Sequence, residues 1–457
     1  MSGAAVAPRD DAVVAFTAAG GWRVVVAPRP DSTTVALRYL VAAGGRHDGA
    51  LPGLSRLVAH LVYDARAPRR RDLFGALAAL GAEAASITTR EYAEFCAVAP
   101  AAEQAALLRL VPQLARPPLL SPAVVARERA ALAAALAAPV PSSAVLWDLL
   151  LAALWGDHAL ARSPGGSAAS VAALQSSQLA AHHAARYTPA HTVLAAAGAC
   201  TVEAVRAAAD LLPRASAPSD TRGISRPAAG RSSVGRSTVG SEPGSAPLPY
   251  SEPSPDAVEP VTGPPSFQGP ADRYQWTPGT VAQVAVAVPV PGMAHPDRSA
   301  LRLLDYLLGR GGSARLYQAL RVRRQLVYSC GSVYMPYADV GVFAAQAVCA
   351  PARARTVARA LADSLLGLAA RPPSAAELAA AQTRYAGNLQ RVFETNASLT
   401  AILGVETLLA TWEPFAVAAS RVAAVTPGEV AAVARAYLAP ERLVRVTIGP
   451  LDPVRAD

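Results

Sequence analysis

Apolar positions along the chain fall first in short alternating runs, then in long alanine- and leucine-rich stretches. Residues 22–28 (WRVVVAP) and 33–44 (TTVALRYLVAAG) read as strands, the second alternating with polar positions. A helix is expected from Gly53, and residues 71–82 (RDLFGALAALGA) predict another, with Gly81 as its natural stop. A strand over 93–100, long helices over 101–185 and a strand over 191–199 before a final helix complete the first half. The second half follows a similar order: a strand over 280–292, a helix over 298–309, then SARLYQALRVRRQL, strand-like VYSCGSVYMPY and GVFAAQAVCA, and further helices. Strands and helices mix without regular β-α-β alternation, so the predicted class is α+β. The shared order of the halves makes a duplicated domain plausible.

The stretch between the halves breaks this pattern. Residues 214–270 are dense in Ser, Pro and Gly and poor in large apolar side chains. Such a segment buries too little surface to offset its ordering entropy, and is expected to be a flexible linker. The expected organisation is a first domain over 11–213, a linker over 214–270 and a second domain over 271–452.

Composition narrows the functional classes. The chain has 457 residues, 52% hydrophobic but only 5% aromatic, with a formal net charge of +9. All 42 basic residues are arginine, which reads as coding bias rather than function. The arginines are scattered, with no basic stripe and no interleaved aromatics, so nucleic acid is not an expected partner. The longest apolar stretch, SAVLWDLLLAALWG, is interrupted by Asp148 and falls short of the roughly 18–20 residues of a spanning helix, so no membrane association is expected. The N-terminal residues show no basic n-region followed by an apolar h-region. Cys96, Cys200, Cys330 and Cys349 are widely spaced and read as reduced residues of a cytoplasmic protein.

One short stretch carries chemistry. In LPGLSRLVAHLVYDA, residues 51–65, Arg56, Ala59 and His60 fall where a zinc peptidase helix carries His, Glu and His. Residues four apart share a helix face, which is why H-x-x-x-H binds zinc, and a glutamate beside the second histidine can act as base on the metal's water. Here a permanently cationic guanidinium takes the first position and a methyl group takes the base's. His60 alone reads as a polar residue packed in a cleft. His182 and His183 are adjacent and diverge by about 100° on a helix, so they do not rebuild a site.

GLSRLVAHLVYDA resembles the zinc helix of the insulinase/pitrilysin peptidases, whose inverted motif is H-x-x-E-H. RDLFGALAALGAEAASITTREYAEFCAVAP resembles that family's next helix, its glycine and its substrate-side edge strand. SPAVVARERAALAAAL resembles the stretch with the third ligand, a glutamate, whose position falls at or beside Ala135. WGDHALARSPGGSAASVAAL and RYTPAHTVLAAAGAC resemble later family segments. The resemblance spans nearly the whole chain except the linker and termini. It implies two processing-peptidase-like domains forming half of a clam-shell. Of the four zinc and base positions only His60 is kept, so no metal is expected in this chain.

In the second half, GRGGSARLYQALRVRRQLVYSCGSVY lacks the G-K-[ST] of a phosphate loop, and its glycines read as serving a turn. In the resembled family this region holds an arginine and a tyrosine seven residues apart that contact substrate and the developing oxyanion. Here these are Arg321 and Tyr328. Taken alone, Arg321 is one of several arginines on a solvated face. With its SARLYQAL and LVYS surroundings it is expected to be a retained substrate contact.

The resemblance implies a non-catalytic subunit of a heterodimeric metallopeptidase. A homologous partner would carry H-x-x-E-H and the zinc, and the pair would cleave a peptide, by analogy a leader peptide. No activity is expected of the chain alone. The alternative is an inactive peptide-binding or structural subunit of a larger assembly. Hydrolysis by Cys330 has little support, as no histidine neighbours it in sequence.

Overall fold

The computed structural model describes residues 13–64, 73–137, 142–213 and 262–450. Two mixed sheets organise it. The first contains β1 (Val14–Thr17), β2 (Arg23–Pro28), β3 (Thr34–Val41), β4 (Glu83–Thr88), β5 (Ala93–Pro100) and β6 (Thr192–Gly198), in the order β1-β2-β6-β3-β5-β4. The second contains β7 (Ala271–Trp276), β8 (Ala282–Pro291), β9 (Ser329–Pro336), β10 (Val340–Cys349) and β11 (Val444–Gly449), in the order β7-β11-β8-β10-β9. Each sheet has one parallel pair, β2 with β6 and β7 with β11, and is otherwise antiparallel. Without β1, the two orders are the same sequence of first, last, second, fourth and third strand. The chain is thus α+β, with two domains of one topology.

The central strands β2, β3, β6, β8 and β10 are largely apolar on both sides because both faces of each sheet are covered. In the first sheet Val24, Val26, Leu37 and Tyr39 face the domain's own helices. The opposite face, with Val25, Ala27, Leu40, Val193 and Ala195, is covered by Leu399 and Leu403 of the helix Asn396–Leu408, which belongs to the second domain. The second sheet reciprocates. Val284, Val286, Val288 and Phe343 face its own helices. Ala285, Ala287, Val342, Val444 and Ile448 pack on Leu146, Leu150 and Leu154 of the helix Ser142–Trp155, from the first domain. The helix Asn396–Leu408 approaches the sheet closely at Gly404, where a Cβ would lie 2.4 Å from Leu40 Cδ1.

Several sequence expectations change. The stretch 101–185 is not a few long helices but a series of shorter ones, the longest described being Pro122–Ala137 and Ser142–Trp155. Proline cannot sit inside a helix without breaking its ladder, and Pro122 instead opens one. Gly156, at φ +57°, follows directly on Trp155 and ends the helix Ser142–Trp155. β1 and β7 carry too little alternation to be read as strands from pattern, whereas β11 (VRVTIG) alternates and is not among the expected strands. Of the expected linker, 214–261 lie outside the described residues, whereas 262–270 are fixed rather than flexible. Gln268 donates its N–H to Leu154 O at 3.0 Å, and Phe267 packs on the Ser142–Trp155 cluster. Among the described residues no single helix is long and apolar enough to cross a membrane.

Leu150 and Leu403 are fully buried, one in each exchanged helix. Each change to alanine should cost about 2–5 kcal/mol, as large-to-small core substitutions do. Urea unfolding of Leu150→Ala and Leu403→Ala checks this; a loss below about 0.5 kcal/mol in either would mean that its helix is not part of the common core.

Candidate functional site

The helix that would carry a zinc motif is Leu54–Ala59, continued by a π-helical turn His60–Asp64. Its start is fixed by its own sequence. Gly53 adopts φ +92°, and a Cβ there would meet Gly165 O at 2.8 Å. The Asp48 carboxylate accepts the N–H groups of Gly53 and Ser55, both at 2.8 Å, and so satisfies donors that a helix N-terminus leaves open. Ser55 Oγ donates to Gly44 O at 3.0 Å and lies 3.1 Å from His182 Nε2.

Burial sets the electrostatics of this cluster. It raises the Asp48 pKa to about 6, although the hydrogen bonds from Ser55 and Gly53 oppose it. It lowers His182 to about 4, helped by Arg186 and His183, and His47 to about 3, helped by Arg186, His182 and Arg46. Both imidazoles are therefore neutral at pH 7.

The fold brings two of the degenerate positions, Arg56 and His60, onto one face. His60 N–H bonds to Arg56 O, so the two side chains share a face. Ala59 is buried. A Cβ at Gly165 would lie 2.7 Å from Arg56 Nη1 and 3.0 Å from Leu136 Cδ2, which places the residue next to Ala135 beside the Arg56 guanidinium. Ala135 itself is exposed near the end of Pro122–Ala137. These side chains do not fit a zinc ion. The four positions carry one imidazole, one guanidinium cation and two methyl groups, and so supply neither a second ligand nor a base. Among the described residues no group of three or more His, Cys, Asp or Glu is placed to hold a metal.

Arg321 and Tyr328 lie in the second domain, either side of a strained connection. The π-helical segment Tyr317–Arg323 ends at Arg324, and Gln325 takes φ +50°, rare for a residue with a Cβ. That conformation is held by Leu326 N–H to Leu320 O at 2.9 Å and by Arg353 Nη1 to Gln325 O at 2.6 Å. Arg321 Nη1 donates to Val327 O at 3.1 Å, and its guanidinium carbon lies 5.9 Å from the Tyr328 ring centroid. Tyr328 is 77% exposed, the most exposed large apolar or aromatic side chain among the described residues. It immediately precedes β9, the open edge of the second sheet. The structure brings Arg321 and Tyr328 to each other; it does not bond them to the helix Leu54–Ala59.

Sequence reading missed a third feature. Arg46 is 1% exposed and donates to Glu91 Oε1 at 3.1 Å, to both Asp339 oxygens, and to Thr262 O at 2.8 Å. Glu91 also accepts Ala338 N–H at 3.0 Å, and burial raises its pKa. This cluster ties the β4–β5 hairpin, the β9–β10 hairpin and the end of the linker. Beside it a cavity of about 400 Å3 opens between the domains, lined by Thr88, Arg90, Met293 and Met335 among others. The only sequence signal was the polar GGRHDG just before the helix.

Comparison with known proteins agrees with the fold. A family model described as insulinase (peptidase family M16) matches residues 23–166, and one described as peptidase M16 inactive domain matches residues 173–385. An uncharacterized zinc protease of Mycobacterium tuberculosis is 30% identical over 405 residues, covering 88% of this chain and 84% of that one. An uncharacterized zinc protease of Streptomyces coelicolor is 28% identical over 453 residues, covering 96% and 90%. Among solved structures, a peptidase M16 inactive domain from Pseudomonas fluorescens superposes with a TM-score of 0.77 at 19% identity, over 96% of this chain and all of that one. A protease from Helicobacter pylori gives 0.79 at 16% identity, over 96% and 99%. The chain belongs to the insulinase family of peptidases, peptidase family M16.

Asp48 offers a test of the helix start. Its folded-state pKa is raised above the ordinary carboxylate value, so the native state holds this proton more tightly than the unfolded chain does. Its contribution to stability therefore falls as pH rises through about 6 and is most favourable below the unfolded value. The stability of the protein minus that of Asp48→Asn should decline as pH rises through this window. Unfolding curves on both sides of pH ~6 read the difference; a constant gap would mean that Asp48 does not titrate there.

Proposed function

We propose that this chain is the zinc-less subunit of a two-chain peptidase. A homologous partner with an intact H-x-x-E-H helix supplies the metal and its base. This chain supplies Arg321 and Tyr328 to the peptide held between the two subunits. The observation that carries this reading is the contrast between the two sites. The zinc-motif positions hold Arg56, Ala59, His60 and Ala135, which cannot bind a metal. Arg321 and Tyr328 remain exposed, adjacent and set by a strained loop.

The chemistry suits such a division. When bound by the partner, zinc supplies a nucleophilic water and polarises the scissile carbonyl. A guanidinium and a phenol placed near that carbonyl would hold the peptide backbone and donate to the oxygen that gains charge. β4, whose exposed residues include Glu83, Ala85 and Ile87, is the last strand of the first sheet among the described residues, and such an edge is where an extended peptide would add. An unfolded peptide, such as a leader segment, is the substrate class that this edge accepts. Four free cysteines support a cytoplasmic location.

Peptide cleavage should be absent with this chain alone and arise when a homologous H-x-x-E-H chain is added. Arg321→Ala and Tyr328→Phe should each lower kcat/KM of the mixture by about 10²–10³, the loss expected for one oxyanion donor. Zinc measured on the separated chains should follow the partner. Cleavage by this chain alone would overturn the reading. No gain on mixing would leave a peptide-binding or structural subunit.

A further inference from the structure

We infer that the second domain carries a carboxylate-accepting cavity on the same segment as Arg321 and Tyr328, so that the peptide engaged there is acidic. This rests on the reading that a peptide contacts that pair. The cavity has a volume of about 280 Å3 and is lined by Arg315, Arg323, Arg371, Glu377 and Ser364, among others. That is room for an acidic side chain and several waters of about 30 Å3 each.

The hydrogen bonds in the cavity separate committed from uncommitted donors. Arg315 is committed: Nε and Nη2 reach the two Glu377 oxygens at 3.0 and 3.1 Å, and Nη1 reaches Arg371 O at 2.8 Å. Glu377 is equally committed, since it also accepts Ser374 N–H at 3.0 Å in capping the helix Ala375–Val392. The Arg315 hydrogen bonds, with those from Ser374, hold its carboxyl down to about 2, so it is a fixed anion. Ser364 donates its hydroxyl to Ala360 O at 2.7 Å. The remaining cations are different. Arg323 uses only Nε, to Gln318 O at 3.3 Å. Among the described residues neither Arg323 nor Arg371 pairs with a carboxylate. Three guanidinium groups against one neutralised carboxylate leave the lining with two uncompensated positive charges.

The surroundings add to that excess. From Gly309 to Ala338 the sequence contains five arginines and no acidic residue. Arg310 and Arg315 are paired with Asp305 and Glu377, whereas Arg321, Arg323 and Arg324 are exposed and have no carboxylate partner among the described residues. Like charges this close repel, and a bound anion removes that cost. Guanidinium forks match a carboxylate in two-point geometry. A free phosphate shares this chemistry. The peptide carboxylate is favoured because the unpaired arginines are not confined to the cavity: Arg321 and Arg324 are exposed on the same segment, so a chain with several carboxylates meets more of this charge than one phosphate does.

Fluorescence anisotropy with this chain alone tests the inference. The probes are a labelled peptide with several glutamates and the same peptide with glutamine at those positions. At low ionic strength the glutamate peptide should bind at least about ten-fold tighter, and the advantage should shrink as salt rises. The double variant Arg323→Ala/Arg371→Ala should lose that advantage while binding the glutamine peptide as before and keeping the parent's thermal unfolding temperature. Equal binding of the two peptides, or an advantage that survives in the folded double variant, overturns the proposal. Inorganic phosphate should compete only at concentrations far above the peptide's Kd; tighter binding by phosphate than by the peptide would make this a free-anion site and overturn the assignment. Binding by the chain alone and cleavage with a partner are separate readouts. A glutamate preference without any gain on mixing would therefore sink the two-chain reading and leave this one standing.

Discussion

Everything in this fold depends on an exchange of helices between its two domains. Each sheet is apolar on both faces, and each domain covers only one face with its own helices. The helix Ser142–Trp155 closes the second sheet and Asn396–Leu408 closes the first. Neither domain could be separated without exposing a sheet face to water. The exchange is also pinned by polar groups. Asn396 is buried and donates to Ser32 Oγ, Thr34 O and Thr34 Oγ1, while its own oxygen accepts from Arg29 at 3.1 Å. Arg46 with Glu91 and Asp339 joins the hairpins at the other side. Removing one partner from such a cluster leaves an uncompensated charge in a dry place, typically at a cost of about 3–5 kcal/mol. The two domains are thus packed on each other as one unit, and this packing sets where the degenerate helix lies relative to the Arg321–Tyr328 pair.

That packing explains how a metal motif can be lost without losing the helix. In small metal domains the ion supplies folding energy outright. Here the helix is held from its N-terminal side by Asp48, Ser55 and His182, and from below by Leu57, Val58 and Leu61, all buried. None of these contacts passes through Arg56, Ala59 or Ala135. Of the altered positions only Ala59 belongs to the core, where a methyl group packs without a polar atom to satisfy, so the helix keeps its packing with no metal ligands on it.

The sequence made the two domains legible because their strands are long apolar runs and their order repeats. Strands at the margin were not legible. β7 (ADRYQW) exposes four of its six residues and β1 (VAFT) three of its four, so neither shows the half-buried alternation that marks a strand. The candidate site was legible where identity alone decides. Arg56 and Ala59 exclude a zinc site whatever the fold. Resemblance located Arg321 and Tyr328, but their exposure and the positive φ of Gln325 are three-dimensional facts. Long-range partners were out of reach: Arg46 meets Asp339 across 293 residues of sequence, and no local pattern marks either. The last residues of the linker were misread because Ser, Pro and Gly content says nothing about the partners that Thr262, Gly263 and Gln268 find on the first domain.

Because every cation in this chain is an arginine, composition cannot separate structural arginines from functional ones; hydrogen bonding can. Arg46 and Arg298 are buried, and their donors are taken by carboxylates and carbonyls of the same chain. A buried guanidinium without such partners would be too costly to keep, so satisfaction is the mark of a structural role. Arg321, Arg323 and Arg371 show the opposite pattern: they are exposed and have no carboxylate partner among the described residues. One such residue means little, since solvated arginines are common on any surface. At the cavity lined by Arg323 and Arg371 the one carboxylate, Glu377, is already taken by Arg315, which leaves an excess of positive charge there. An excess of that kind is met by solvent ions or by an anionic ligand, which is why the proposed role rests on the second domain rather than on the helix that resembles a metal site.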